Sequence, residues 1–149
     1  MTGKVLVDTN LLVYAYDFAD PAKQETAFRL LDELATSGRG VLSAQVLTEF
    51  VVAVTRKIAK PLDLKTVQKS VENYLSSWVV LDVTGFVVLE AVRGVREHRF
   101  SYWDAQIWAT ARLNQIPVVL SEDFASGSTV EGVTFLNPFT ADFDLTRFL

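Results

Sequence analysis

Asp8 follows three apolar residues, Val5, Leu6 and Val7, and opens the run Asp8-Thr9-Asn10. A carboxylate at the end of a buried strand is costly unless it is paired or meets a metal ion; its plainer role is to cap the next helix. Glu49 sits among Val46, Leu47, Phe50 and Val51. A helix so apolar on most sides can turn it toward the interior or a cleft, although a solvated glutamate near a helix start is equally ordinary. Asp104, in Ser101-Tyr102-Trp103-Asp104, reads both as the acid of a capping box and as a carboxylate facing a pocket. Asp123 follows Val118-Val119-Leu120-Ser121, with Glu122 as an alternative exposed acid. Each position is weak alone; their joint placement at strand ends and helix starts carries the argument. An acidic site of this kind can hydrolyse phosphodiesters when a bound metal reverses the local sign.

Other chemistries are narrowed by composition. The chain has no cysteine and one histidine, His98, which excludes disulfides, thiolate metal sites and multi-histidine zinc sites. A Ser-His-Asp arrangement would have to use that one residue. A net charge of −4 argues against broad, sequence-blind binding to nucleic acid, which needs a basic face, but does not exclude a nuclease. The absence of cysteine suits a cytoplasmic location. Met1 to Tyr16 carries Lys4 and Asp8 and lacks a small-residue cleavage site, so it reads as a strand entering a helix and not as a signal peptide. No apolar run approaches the roughly 18 residues of a membrane span.

The elements that must position these acids alternate between β-rich runs and helical patterns. Strands are expected at Lys4 to Asp8, at Val41-Leu42, over Trp78 to Val83, over Pro117 to Leu120 and, shorter, over Val133 to Leu136. Helices are expected after Thr9 or Asn10 as cap, after Asp20-Pro21 up to Gly38, and after Ser43, Asp63, Thr84 and Ser101. Strands separated by helices imply an α/β fold, a parallel sheet covered on both faces, with ligands at the carboxyl ends of the strands. Asp8 and Asp123 lie at such ends, and Glu49 and Asp104 are expected in the first turns of helices starting near the same edge. Half of the 149 residues are apolar, enough for one domain with its own core over 1–149.

With these residues in place, the chain resembles the PIN domains. Val7-Asp8-Thr9-Asn10, Leu47-Thr48-Glu49-Phe50, Tyr102-Trp103-Asp104-Ala105 and Leu120-Ser121-Glu122-Asp123-Phe124 look like their successive acidic motifs in order and spacing. Val130-Glu131-Gly132-Val133 and Leu136-Asn137-Pro138-Phe139 are similar to endings of bacterial members. The resemblance covers about residues 3–138, leaves a tail at 139–149, and is greatest to VapC-type toxins of toxin–antitoxin systems. It implies an α/β/α sandwich around a mainly parallel sheet of about five strands, an Mg²⁺ or Mn²⁺ site, and hydrolysis of RNA phosphodiester bonds to 5′-phosphate and 3′-hydroxyl ends. It carries the metal and catalytic roles onto Asp8, Glu49, Asp104 and Asp123, with Asn10 and Ser121 in support. It also implies an RNA substrate, a small antitoxin partner and a homodimer.

Mg²⁺ prefers hard oxygen ligands and retains several waters, so carboxylates plus substrate phosphate suffice. Two basic groups, Arg56, Lys57, Lys60, Lys65 and Lys69 and then Arg93, Arg96 and Arg99, are either RNA guides or solvated helix faces. Tyr102 and Trp103 are candidates for stacking on bases, or core and dimer contacts. Phe28, Leu31 and Leu34, and Val67, Val71 and Leu75, are apolar stripes for the core or for a partner. A haloacid-dehalogenase-like phosphatase remains an alternative, although Asn10 stands where that chemistry wants a second Asp. A non-catalytic metal-binding signalling module remains another, although it wants paired acids early and a late strand-end Lys.

Overall fold

The computed structural model describes residues 3–148; Met1, Thr2 and Leu149, included in the expected domain limits, lie outside them. Six strands form one sheet: β1 (Val5–Val7), β2 (Gly40–Ser43), β3 (Val79–Leu81), β4 (Val118–Leu120), β5 (Thr129–Val130) and β6 (Val133–Leu136). Their order is β3-β2-β1-β4-β6-β5, parallel throughout except for the antiparallel β5–β6 pair. The helices are α1 (Thr9–Tyr14), α2 (Pro21–Ser37), α3 (Ala44–Arg56), α4 (Leu64–Ser77), α5 (Gly85–His98) and α6 (Tyr102–Leu113).

The chain first winds one way, from β1 through β2 to β3, and then crosses to the other side of β1 to lay down β4 and β6. Right-handed crossovers put the helices of these two journeys on opposite faces. The packing agrees: α1 lies on α2 and α3, α3 lies on α4, and α5 lies on α6. β1 and β4 are neighbours whose following segments diverge, which opens a crevice at their carboxyl ends. β1, β2 and β4 are buried throughout, as near-continuous apolar runs in a sheet covered on both faces should be. Trp108 and Phe50 are the largest side chains sealed in the core.

Asp20, Ser43, Asp63, Thr84 and Ser101 cap their helices as expected, and Gly38 ends α2 at φ 69° in the left-handed region. Four expectations change. The cap of α1 is Asp8 itself, whose side chain accepts from the Thr9 N–H, and not Thr9 or Asn10. Glu49 is the sixth residue of α3 and so stands in its second turn, not its first. The third strand is confined to Val79–Leu81, because the Trp78 N–H still bonds back to Tyr74 and Thr84 already caps α5. The sheet has six strands instead of five because Glu131 and Gly132, both at positive φ (48° and 83°), make the tight two-residue turn that pairs Thr129-Val130 with β6. The tail packs: Phe139, Phe143 and Leu145 lie against the core, and Leu145–Phe148 forms a 3-10 turn. Among the described residues no helix is long and apolar enough to cross a membrane.

Candidate active site

The fold brings the four acids to the crevice between β1 and β4. The Asp8 N–H bonds the Leu120 carbonyl at 2.9 Å, extending the β1–β4 pairing by one step. Ser121, directly after β4, donates from Oγ to Asp8 Oδ2 at 2.7 Å, while Oδ1 accepts from the Thr9 N–H at 2.7 Å. The same Ser121 hydroxyl accepts from the Asp123 N–H at 3.0 Å and from Asn10 Nδ2 at 3.3 Å. Asn10 Nδ2 also donates to Asp123 Oδ2 at 3.2 Å. Thr9 Oγ1 donates to Glu49 Oε2 at 2.7 Å and so ties α1 to α3. The two supporting residues read from the sequence, Asn10 and Ser121, therefore bind two of the carboxylates directly, and Thr9, not singled out beforehand, binds a third.

Asp8 is only 4 % exposed, and its carboxyl is pushed up from 3.8 to about 7. Burial is the main cause; the hydrogen bonds from Ser121 and Thr9 oppose it, and the charges of Asp123 and Glu49 add to it. Mutual repulsion is thus present but secondary to desolvation. Asp104 is also raised, first by burial and then by Asp123 and Glu49, against a hydrogen bond with Ser101. Its backbone N–H donates to Ser101 Oγ at 3.4 Å, so the cap of α6 is Ser101.

A cleft of about 930 Å³ opens beside these acids, lined by the polar Thr9, Asn10, Glu49 and Asp123 and by the apolar Val13, Val52, Ile58, Val83 and Trp103. Asp8 and Asp104 stand outside this lining. Glu122 is not a free substitute for Asp123: it accepts from Tyr14 Oη at 2.6 Å and from Lys23 Nζ at 3.0 Å. This hydrogen bond, followed by one to Tyr14, raises the Lys23 ammonium above its usual value. That contact pins the segment after β4 to α2, and no sequence spacing announces it.

Among the described residues no ion pair reaches Asp8, Glu49, Asp104 or Asp123. Four hard oxygen donors without a counter-cation, together with the buried and unpartnered Asn10 Oδ1, fit a small divalent ion that keeps part of its water shell. Ligand atoms all within 4.8 Å of one another occur instead at Glu97, His98 and Glu131. There Arg93 already bonds Glu97 at 2.8 Å and Glu131 at 3.0 Å, and Arg112 bonds Glu90 beside them. Two guanidiniums among the carboxylates supply the positive charge a metal would bring, so this cluster is read as an ion-pair network tying the β5–β6 turn to α5 and α6. Arg93 is absorbed by it and is withdrawn from the candidate RNA guides. Tyr102 is half-buried with its hydroxyl donating to Gln106, whereas Trp103 is 60 % exposed at the cleft.

The chain matches the PIN domain family over residues 5–125 and belongs to it. No curated protein sequence matches the chain. Three solved structures share its architecture. A toxin–antitoxin complex from Klebsiella pneumoniae is 17 % identical, with 91 % of this chain and 98 % of that one aligned and a TM-score of 0.67. The sarcin–ricin-loop-cleaving toxin VapC20 of Mycobacterium tuberculosis is 23 % identical, with 86 % and 98 % aligned and a TM-score of 0.66. A DNA-bound VapBC from Salmonella typhimurium is 17 % identical, with 91 % and 97 % aligned and a TM-score of 0.62. These likenesses bear on the fold. Family membership displaces the phosphatase and signalling-module alternatives.

Proposed function

We propose that this PIN domain is an Mg²⁺- or Mn²⁺-dependent endoribonuclease and the toxin of a type II toxin–antitoxin pair, acting in the cytoplasm. The observation that carries the reading is the group of four carboxylates at one sheet edge, one of them almost wholly buried, which no ion pair among the described residues reaches. Asp8, Glu49, Asp104 and Asp123 would hold the metal. Bound there, the ion supplies Lewis acidity for hydrolysis of the phosphodiester by water. Thr9, Ser121 and Asn10 aim the carboxylates; each oxygen they engage retains a second lone pair for other partners. Asp8 and Asp123 are linked through Ser121 and Asn10, so they keep a fixed separation. The exposed face of Trp103 offers a base-stacking surface beside the acids, and Lys57, at the cleft, a cation for a flanking phosphate.

The partner assignment draws on the relatives, several of which were solved as toxin–antitoxin complexes. An antitoxin and a second copy of this chain are the expected partners. Purified protein should cleave RNA with Mg²⁺ or Mn²⁺, lose that activity in chelator and regain it with either ion. Full cleavage after exhaustive chelation would overturn the mechanism.

A further inference from the structure

Gln45 and Gln106 are both only 6 % exposed, and both lie between α3 and α6. A buried amide is costly unless its donors and acceptor are all met, and here they are met in one direction. Tyr102 Oη donates to Gln106 Oε1 at 2.9 Å, and Gln106 Nε2 donates to Gln45 Oε1 at 2.9 Å. Gln45 Nε2 then donates twice, to Glu49 Oε1 at 3.4 Å and to the Trp103 carbonyl at 3.1 Å. The donors run in one direction, from Tyr102 through Gln106 to Gln45, and end on Glu49 and the Trp103 carbonyl. Flipping the Gln106 amide would set its oxygen against Gln45 Oε1, and flipping the Gln45 amide would set its oxygen against the Glu49 carboxylate and the Trp103 carbonyl, so the polarity is unique.

We propose that Tyr102, Gln106 and Gln45 form a positioning chain that fixes the Glu49 carboxylate and locks it to the start of α6, where Asp104 resides, in the geometry that captures the metal. The proposal rests on the metal-dependent reading above. Its physical content is that Glu49 belongs to α3 and Asp104 to α6, so something must set the distance between the two helices at this point. The Gln45 amide does so, because it bridges the Glu49 side chain and the carbonyl of Trp103, the residue before Asp104. Gln106 decides which way that amide faces. None of the three side chains needs to touch the ion; each acts through Glu49. Outer partners of metal ligands commonly tune affinity about 10- to 100-fold.

The test is Mn²⁺ binding alone, read from the EPR signal of the free ion, on wild type, Gln106→Met, Tyr102→Phe, Asp8→Asn and Ser70→Ala. Ser70 is buried and hydrogen-bonded to Tyr16, away from the chain, and controls for general loss of stability. Gln106→Met should weaken Mn²⁺ binding about tenfold or more, with a cooperative melt retained. Tyr102→Phe, which removes one oxygen and leaves the half-buried ring, should weaken it less but in the same direction; it decides the matter if Gln106→Met does not fold. Ser70→Ala should bind as wild type does. The positioning chain is refuted if Gln106→Met and Tyr102→Phe, both folded, stay within about twofold of wild type while Asp8→Asn has lost binding. It is equally refuted if Ser70→Ala weakens binding as much as they do. Failure of wild type to bind Mn²⁺, or binding by Asp8→Asn equal to wild type, overturns the underlying metal-site reading and the positioning chain with it.

Discussion

Asp8 combines two roles that pull against each other. It caps α1, and it is a carboxyl held in a nearly dry environment. Its folded-state pKa of about 7, against an ordinary 3.8, means that the native protein holds a proton that the unfolded chain releases between roughly pH 4 and 7. The native state therefore binds more protons in that window, and stability falls as pH rises through it. At 1.36 kcal/mol per unit the span is on the order of 4 kcal/mol. Asp8→Asn removes this dependence and keeps the acceptor for the Thr9 N–H. It exchanges the Ser121 hydrogen bond for a donor facing a hydroxyl that already accepts twice, at about 1 kcal/mol. In chelator, the variant should be more stable than wild type at pH 8 and equal or slightly weaker at pH 4.5, with no RNA cleavage at either. Urea melts at the two pH values check this; a difference independent of pH would remove the buried carboxyl as its cause. Mg²⁺ should then raise wild-type stability by mass action and leave the variant nearly unchanged. Asp8, Asp104 and Asp123 were legible in the sequence because each follows an apolar strand or opens a helix, and Glu49 because it is an acid set among apolar residues of α3. Thr9, Gln45, Gln106 and the Lys23–Glu122 pair were not, because their partners lie 40 to 99 residues away along the chain. For the two glutamines a faint signal existed: Gln45 precedes Glu49 by one helical turn, and Gln106 is polar within a wholly buried stretch, Ala105 to Ala111.

At the level of elements, the distance between α5 and α6 depends on Gly94. A Cβ there would stand 2.9 Å from Trp108 Cε3 and Cζ3 and 3.4 Å from Ala105 Cβ, in a region where Trp108 is fully buried. Gly94→Ala gains about 1 kcal/mol of helix propensity but must push α5 off the indole. Overpacking of this kind costs about 1–3 kcal/mol, and the packing loss should win. A lower urea midpoint with an unchanged m-value is the expected result; a midpoint at or above wild type would show that Trp108 yields freely. Because α6 carries Asp104, the same variant should also weaken Mn²⁺ binding. The helices were readable from caps and periodicity, since Asp20, Ser43, Asp63, Thr84 and Ser101 are local signals. Strand lengths and the β5–β6 hairpin were less so. Thr129-Val130 is too short to show alternation, and a Glu at positive φ is not what a turn pattern leads one to expect.

For the molecule as a whole, the apolar stripes divide between core and surface. Leu31, Leu34 and Val67 are consumed by the core, while Phe28 is 67 % exposed. Phe86, Leu89 and Val92 on α5 are each more than half exposed. Spaced three apart on one helix, they offer apolar area that a second copy of the chain could cover. The homodimer that belongs to the proposed function should appear by light scattering at tens of micromolar, a range suited to ordinary dimer affinities. Leu89→Glu should shift it toward monomer. A strict monomer would count against self-association, and an unaffected dimer would move the contact elsewhere.

The placement of β4 between β1 and β6 has a further consequence for how the protein comes into being. Asp8 is synthesised well before Leu120 and Ser121, on which its burial depends, because Ser121 lies 113 positions further along the chain. A nascent chain extended through α6 already carries Asp8, Glu49 and Asp104 but lacks the strand and hydroxyl that fix Asp8, and lacks Asp123. The acid cluster is therefore completed only once the strand after α6 has been made, from both halves of the winding at once. A product truncated before residue 118 retains three of the four acids and should be inert. If the chain cuts RNA as proposed above, this order withholds the complete acid cluster from the unfinished polypeptide while its ribosome and message are still making it.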